Sequence, residues 1–172
     1  MLATQSHARL AAVSHPSLGR PPLDLHAGHP ADAAVLKAAT ARVAGRALES
    51  AVAADPTFRE RYDELQLREL LADLHAFVGR LAISMAADDP RVMTGWAENI
   101  AVRYRKRVVP MDDVIALCEG LREVLPGTIS PDANTAANAA LDAAIKVFKW
   151  HRRLAGDGRK RNAFLAFIYK GA

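Results

Sequence analysis

The chain has 172 residues, of which 51% are hydrophobic and 24% charged, with a formal net charge of +4. A chain of that length can bury roughly 70% of its unfolded surface as one domain without staples, and the single cysteine, Cys118, excludes an internal disulfide framework. Alanine dominates, while the clusters of Val, Ile, Thr and aromatics that strands need are absent, so the composition points to helices throughout.

Four prolines and two glycines interrupt residues 1–30. No helical or alternating period survives there, which predicts an N-terminal arm that stays flexible unless a partner orders it. The arm carries four of the six histidines: His7, His15, His26 and His29. His26 and His29 are spaced as half a metal site, but no second His or Cys pair completes tetrahedral coordination, and no bound metal is expected. Arg9 and the broken apolar stretch Leu10–Val13 make a poor signal peptide. No apolar run reaches the ~18–20 residues of a membrane span, and the protein is expected to be cytoplasmic.

From residue 31 onward the chain reads as one helical domain. Asp32 opens a helix to about Ala54, with Val35, Leu36, Ala39, Val43, Ala47 and Leu48 near one face. Asp55 caps a short helix with Pro56 at its first position and Phe58 and Tyr62 inward. Leu67, Leu70, Leu71, Leu74, Phe77, Val78, Leu81 and Met85 then hold the helical period for five turns, marking a central core helix. Asp88-Asp89-Pro90 ends it and starts the next, whose apolar stripe is Val92, Trp96, Ile100 and Tyr104. Arg103, Arg105, Lys106 and Arg107 close that helix, where cations suit the dipole.

A corner at Val108-Val109-Pro110 leads into a helix with Asp112-Asp113 in its first turn and Val114, Ile115, Leu117, Cys118, Leu121, Val124 and Leu125 inward. Pro126-Gly127 ends it. Ser130-Pro131-Asp132 opens a long final helix to about Leu154. Residues 157–172 read as a basic amphipathic helix too short to stand without docking. The expected fold is all-α: a globin-like or helical-bundle single domain of about five main helices and two short ones.

The run Arg107-Val108-Val109-Pro110-Met111-Asp112-Asp113-Val114-Ile115-Ala116-Leu117, followed by Leu121-Arg122-Glu123, resembles the helical N-terminal sensor domains of stressosome co-antagonist proteins and related bacterial regulator modules. Phe58-Arg59-Glu60-Arg61-Tyr62 and the helix over Leu67–Ala86 are similar as well, so the likeness covers roughly Pro56 to Leu154. The resemblance implies an all-helical, globin-related fold that works without haem. It also implies a role in sensing, or in holding partners together, rather than in catalysis.

Three sites follow as candidates. His75, in line with Leu71, Val78 and Ala82, could ligate haem iron, with Met85 or His151 as second ligand. The competing reading, which is preferred, is a hydrogen-bonded histidine at the core margin. Lys146, Lys149, Arg152, Arg153, Arg159, Lys160 and Arg161 interleave with Phe148, Trp150, Phe164, Phe167 and Tyr169. Such a surface can bind nucleic acid by charge and stacking or lie on an anionic membrane. The alternative is that its aromatics close the core while its cations stay solvated. Arg103, Arg105, Lys106 and Arg107 could hold phosphate or simply complement the helix dipole. Cys118 reads as a buried structural thiol, and the paired aspartates as helix-start charges on solvated faces. No nucleophile elbow, phosphate loop or zinc motif is present. The expected function is therefore a non-enzymatic sensory, regulatory or interaction module with protein partners, forming a homo-oligomer.

Overall fold

The computed structural model describes residues 22–155, and these are all-α, with no strand. The helices are α1 (Pro30–Ala38), α2 (Thr40–Ala54), α3 (Phe58–Arg61), α4 (Glu64–Ala87), α5 (Arg91–Lys106), α6 (Met111–Val124) and α7 (Pro131–Ala155), with a 3₁₀ turn at Leu125–Gly127. The stretch 157–172 lies outside the described residues.

The helix expected over 32–54 is two helices. The Ala39 N–H donates to both the Val35 and Leu36 carbonyls, and the Thr40 hydroxyl takes the Lys37 carbonyl at 2.7 Å. The break lets α1 pack on α4 while α2 packs on α6 and α4. Val35 faces solvent, and Ala33, Leu36, Val43, Ala44, Ala47 and Ala51 are the buried residues of this region. Part of the predicted arm is held firmly: the Gly28 and His29 N–H groups donate to the Ala86 and Met85 carbonyls, each at 2.9 Å. These bonds add donors at the end of α4, where the last carbonyls lack partners within the helix; the Met85 carbonyl also accepts from the Asp88 N–H at 3.3 Å. A Cβ at Gly28 would run into the Met85 carbonyl oxygen, so glycine is required by close approach.

α4 is the central helix. Asp63 and Gln66 form a reciprocal capping box at its start. Leu70, Leu74, Phe77, Val78 and Leu81 are fully buried. Within its 24 residues an 18-residue stretch has a mean hydropathy of 1.4, long and apolar enough to cross a membrane, with 56% of that stretch buried in the bundle. Reading uninterrupted apolar runs missed this, because isolated polar residues such as Asp73 and Arg80 break the run without lowering the average much. Phe77 is the hub of the aromatic core, 4.2 Å from the Trp96 ring on α5 and 6.0 Å from the Phe148 ring on α7. Burying each such ring contributes about 1.5–3 kcal/mol.

α2 and α6 pack closely against each other. Gly120 lies against the backbone of Ala47, where a Cβ would strike the Ala47 carbonyl oxygen. The small residues at this contact, Ala47 on α2 and Gly120 on α6, therefore serve close packing.

The corner after α5 forms as expected and carries a strained residue. Val108 adopts φ 59. The Val109 N–H reaches back to the Tyr104 carbonyl at 2.9 Å and the Val108 N–H to the Arg105 carbonyl at 3.1 Å. This pair of bonds is the Schellman closure, which normally has glycine in the left-handed position. A β-branched residue there costs on the order of 1–2 kcal/mol, and Val108, 73% exposed, recovers little of that by packing. Val108→Gly is expected to raise stability by about 1 kcal/mol, read as a rise in thermal midpoint of about 3 °C.

Candidate functional site

The first turn of α6 holds two adjacent carboxylates that face different neighbours. Asp113 is 2% exposed. It accepts hydrogen bonds from Arg61 Nε at 3.1 Å, Arg61 Nη2 at 2.9 Å and the Tyr62 hydroxyl at 2.7 Å. Arg61 also reaches Asp55 at 2.9 Å and the Thr57 hydroxyl, and stands over the Phe58 ring at 5.1 Å. The Thr57 hydroxyl and then Arg61 hold the Asp55 carboxyl down to about 2. Burial, then the hydrogen bond to Asp113, pushes the Tyr62 phenol far above its usual range, so it remains a donor. Asp112 accepts from Arg152 of α7 at 2.8 Å. Asp113 was expected on a solvated face. Burial makes it a structural anchor, because a charge in the interior must be both paired and hydrogen-bonded. Sequence reading missed it because α3, which supplies its partners, lies about fifty residues away in the chain.

A second ion cluster closes the end of α5. Arg107 donates to Asp73 at 2.6 Å and Glu69 at 2.8 Å on α4, with its guanidinium 5.7 Å from the Tyr104 ring centroid. Arg107 is thus an α4–α5 tie, whereas Arg103, Arg105 and Lys106 are exposed and make no ion pair among the described residues. Asp32 likewise does more than start a helix. Its carboxylate accepts from the Ser130 N–H at 2.8 Å and the Ser130 hydroxyl at 3.0 Å, joining the starts of α1 and α7.

His75 is exposed, which corrects the expectation that it lies on or beside the buried stripe. One residue further along a helix turns the side chain by about 100°. Leu74 and Val78 take the inward positions, and His75 falls with exposed Ala72 and Ala76. An exposed imidazole has no enclosed pocket in which to hold a haem. No group of three or more His, Cys, Asp or Glu side chains among the described residues could hold a metal ion. Cys118 is fully buried, and burial pushes its thiol up, away from the reactive thiolate.

The basic set divides. Arg152 is spent on Asp112, while Arg159, Lys160 and Arg161 lie outside the described residues. Lys146, Lys149 and Arg153 are exposed on α7 and lie close together through spacings of three, four and seven. Phe148 closes the core, fully buried, but Trp150 is 51% exposed and Leu154 57% exposed. Lys146, Val147, Trp150 and Arg153 line a groove together with Ala143 and, on α5, Thr94 and Glu98. A separate groove between α1 and α4 is lined by Ala34, Ala76, Gly79 and Ile83, with Trp96 of α5.

His151 lies beneath the α7 face, 7% exposed, with Nδ1 buried and without a hydrogen bond and its ring edge-on to Trp150 at 5.1 Å. Burial first, then the charge of Arg105, lowers its pKa; Glu98 acts in the opposite sense. No protein-family model matches the chain, and neither a curated protein nor a solved structure is found to be similar to it.

Two measurements check this geometry. Arg61→Ala leaves Asp113 buried with Tyr62 alone, and is expected to cost about 2–4 kcal/mol in chemical denaturation. The unfolded chain holds the His151 proton more readily than the folded one. That residue's contribution to stability is therefore complete above about pH 6.5 and falls away as pH drops below it. Denaturation midpoints should decline from pH 7 to pH 5, and the decline should be shallower in His151→Gln.

Proposed function

We propose that this chain is a non-enzymatic helical module, sensory or regulatory in role, that acts by making protein–protein contacts. In this reading it is a cytoplasmic, globin-like stress-response module of the kind its α5–α6 corner resembles, and it works without haem. The reading is carried by one observation: Trp150, a large aromatic, stands half out of a groove between α5 and α7 instead of closing the core. Large aromatics seated in grooves are the residues that anchor protein interfaces, where truncating one typically costs about 2 kcal/mol or more of binding energy. Isolated exposed apolar residues are ordinary. Trp150 differs because Val147 and Ala143 line the groove beside it and Leu154 extends the apolar strip by one turn.

The module also self-associates in this reading, and it does so away from the α7 face. There, the cations Lys146, Lys149 and Arg153 of two copies would repel across a two-fold axis. Light scattering on the full chain in ~0.15 M salt, where surface charges are partly screened, tests this part directly. The mass is expected to rise to a dimer or more as concentration increases, and equally so in Lys146→Glu. A monomer at every concentration contradicts it.

A further inference from the structure

The groove between α5 and α7 differs in charge from rim to rim. Its α7 rim carries Lys146 and Arg153, with Lys149 exposed next to them. None of the three makes an ion pair among the described residues, whereas Arg107, Arg122 and Arg152 are all paired. Its α5 rim carries one carboxylate, Glu98, and one hydroxyl, Thr94. The floor between them is apolar, built from Ala143, Val147 and the Trp150 ring. Two cations seven residues apart beside an apolar trough, with Lys149 next to them on the adjoining face of α7, match a helix with an apolar stripe and a row of carboxylates along one side.

From this charge pattern we propose that the α5–α7 groove is a docking site for an acidic amphipathic helix of a protein partner. The apolar stripe covers Val147 and Trp150, and the carboxylates pair with Lys146, Lys149 and Arg153. Glu98 orients the helix, since like charge turns the partner's acidic side away from α5 and toward α7. Neither a nucleic acid nor a bilayer fits this site as well. Strand binding by stacking uses successive aromatic platforms, and among the described residues Trp150 is the sole exposed aromatic, with Phe58, Tyr62, Phe77, Tyr104 and Phe148 buried. A bilayer meets convex amphipathic faces, whereas these apolar atoms line a trough between two helices.

The inference rests on the protein-contact reading and is tested on the full chain. The probe is a dye-labelled synthetic peptide of about 18 residues, long enough for five helical turns, with leucine on one helical face and glutamate on the other. A scrambled peptide of identical composition is the control. Binding followed by anisotropy in ~0.15 M salt is expected for the amphipathic peptide and to be at least about tenfold weaker for the scrambled one. Trp150→Ala, and separately Lys146→Glu combined with Arg153→Glu, should each weaken binding by about tenfold or more. Lys37→Glu, at the edge of the separate α1–α4 groove, should change it by less than about twofold. All the substituted side chains are exposed, and circular dichroism confirms that the variants fold.

The proposal is overturned if the amphipathic peptide fails to bind, binds no better than its scrambled control, or binds the groove variants as well as the wild type. It is also overturned if a thymidine oligonucleotide or phosphatidylserine vesicles bind more tightly than the peptide and lose that binding in the same variants. Failure of peptide binding with self-association intact removes this partner chemistry and leaves the protein-contact reading standing.

Discussion

The arrangement depends on two neighbouring carboxylates in the first turn of α6. Asp113 points inward to Arg61 and Tyr62, and Asp112 points to Arg152 at the far end of α7. A buried carboxylate is tolerated only when its partners are present, so this turn of α6 requires α3 and its loop to be in place. α3 has four residues, far too short to hold its shape alone. What holds it is the Arg61 guanidinium, shared between Asp55, Thr57 and Asp113, together with Phe58 beneath it. Both carboxylates also sit where the helix dipole favours negative charge. A pattern that reads as a helix start thus joins three elements across the bundle.

The same turn ties one α7 cation, Arg152, into the fold. With Arg152 held by Asp112 and Arg107 held by Asp73 and Glu69, the basic residues divide into structural ones and ones with no ion pair among the described residues. On α7 the latter stand exposed around Trp150. Below them burial, and then the charge of Arg105, lowers the His151 pKa. The surface is thus built directly on the core: Phe148 packs against Phe77 and Tyr104, while its near neighbours Val147 and Trp150 line the groove.

Much of the fold was legible in the sequence because helix boundaries are local chemistry. The start of α7 at Ser130-Pro131 and the corner at Pro110 each occur where residue type requires them, whereas α3 starts at Phe58, two residues later than the Asp55-Pro56 signal implied, and Asp55 holds the Thr57 N–H and hydroxyl in the turn before it. The core stripe of α4 was legible for the same reason. What local chemistry cannot show is a partner distant in the chain. The burial of Asp113, the Asp32–Ser130 bond and the Arg152–Asp112 pair each join residues at least forty positions apart. The break at Ala39 was hidden because alanine is the best helix former and carries no stop signal. His75 shows a third limit, since at the edge of an apolar stripe a single position separates core from solvent. In the basic set, the pairing of Arg152 with Asp112 depended on a contact forty residues away, which no local pattern shows.

The central claim is that the α5–α7 face is the working surface of this module. Mapping backbone amide shifts of the full chain on addition of an acidic amphipathic helix tests that claim most directly. The account predicts shifts concentrated at Thr94, Glu98 and residues 143–153, with the α1–α4 groove unmoved. Shifts centred on Ala34, Ala76 and Ile83, or spread evenly over the bundle, would contradict it.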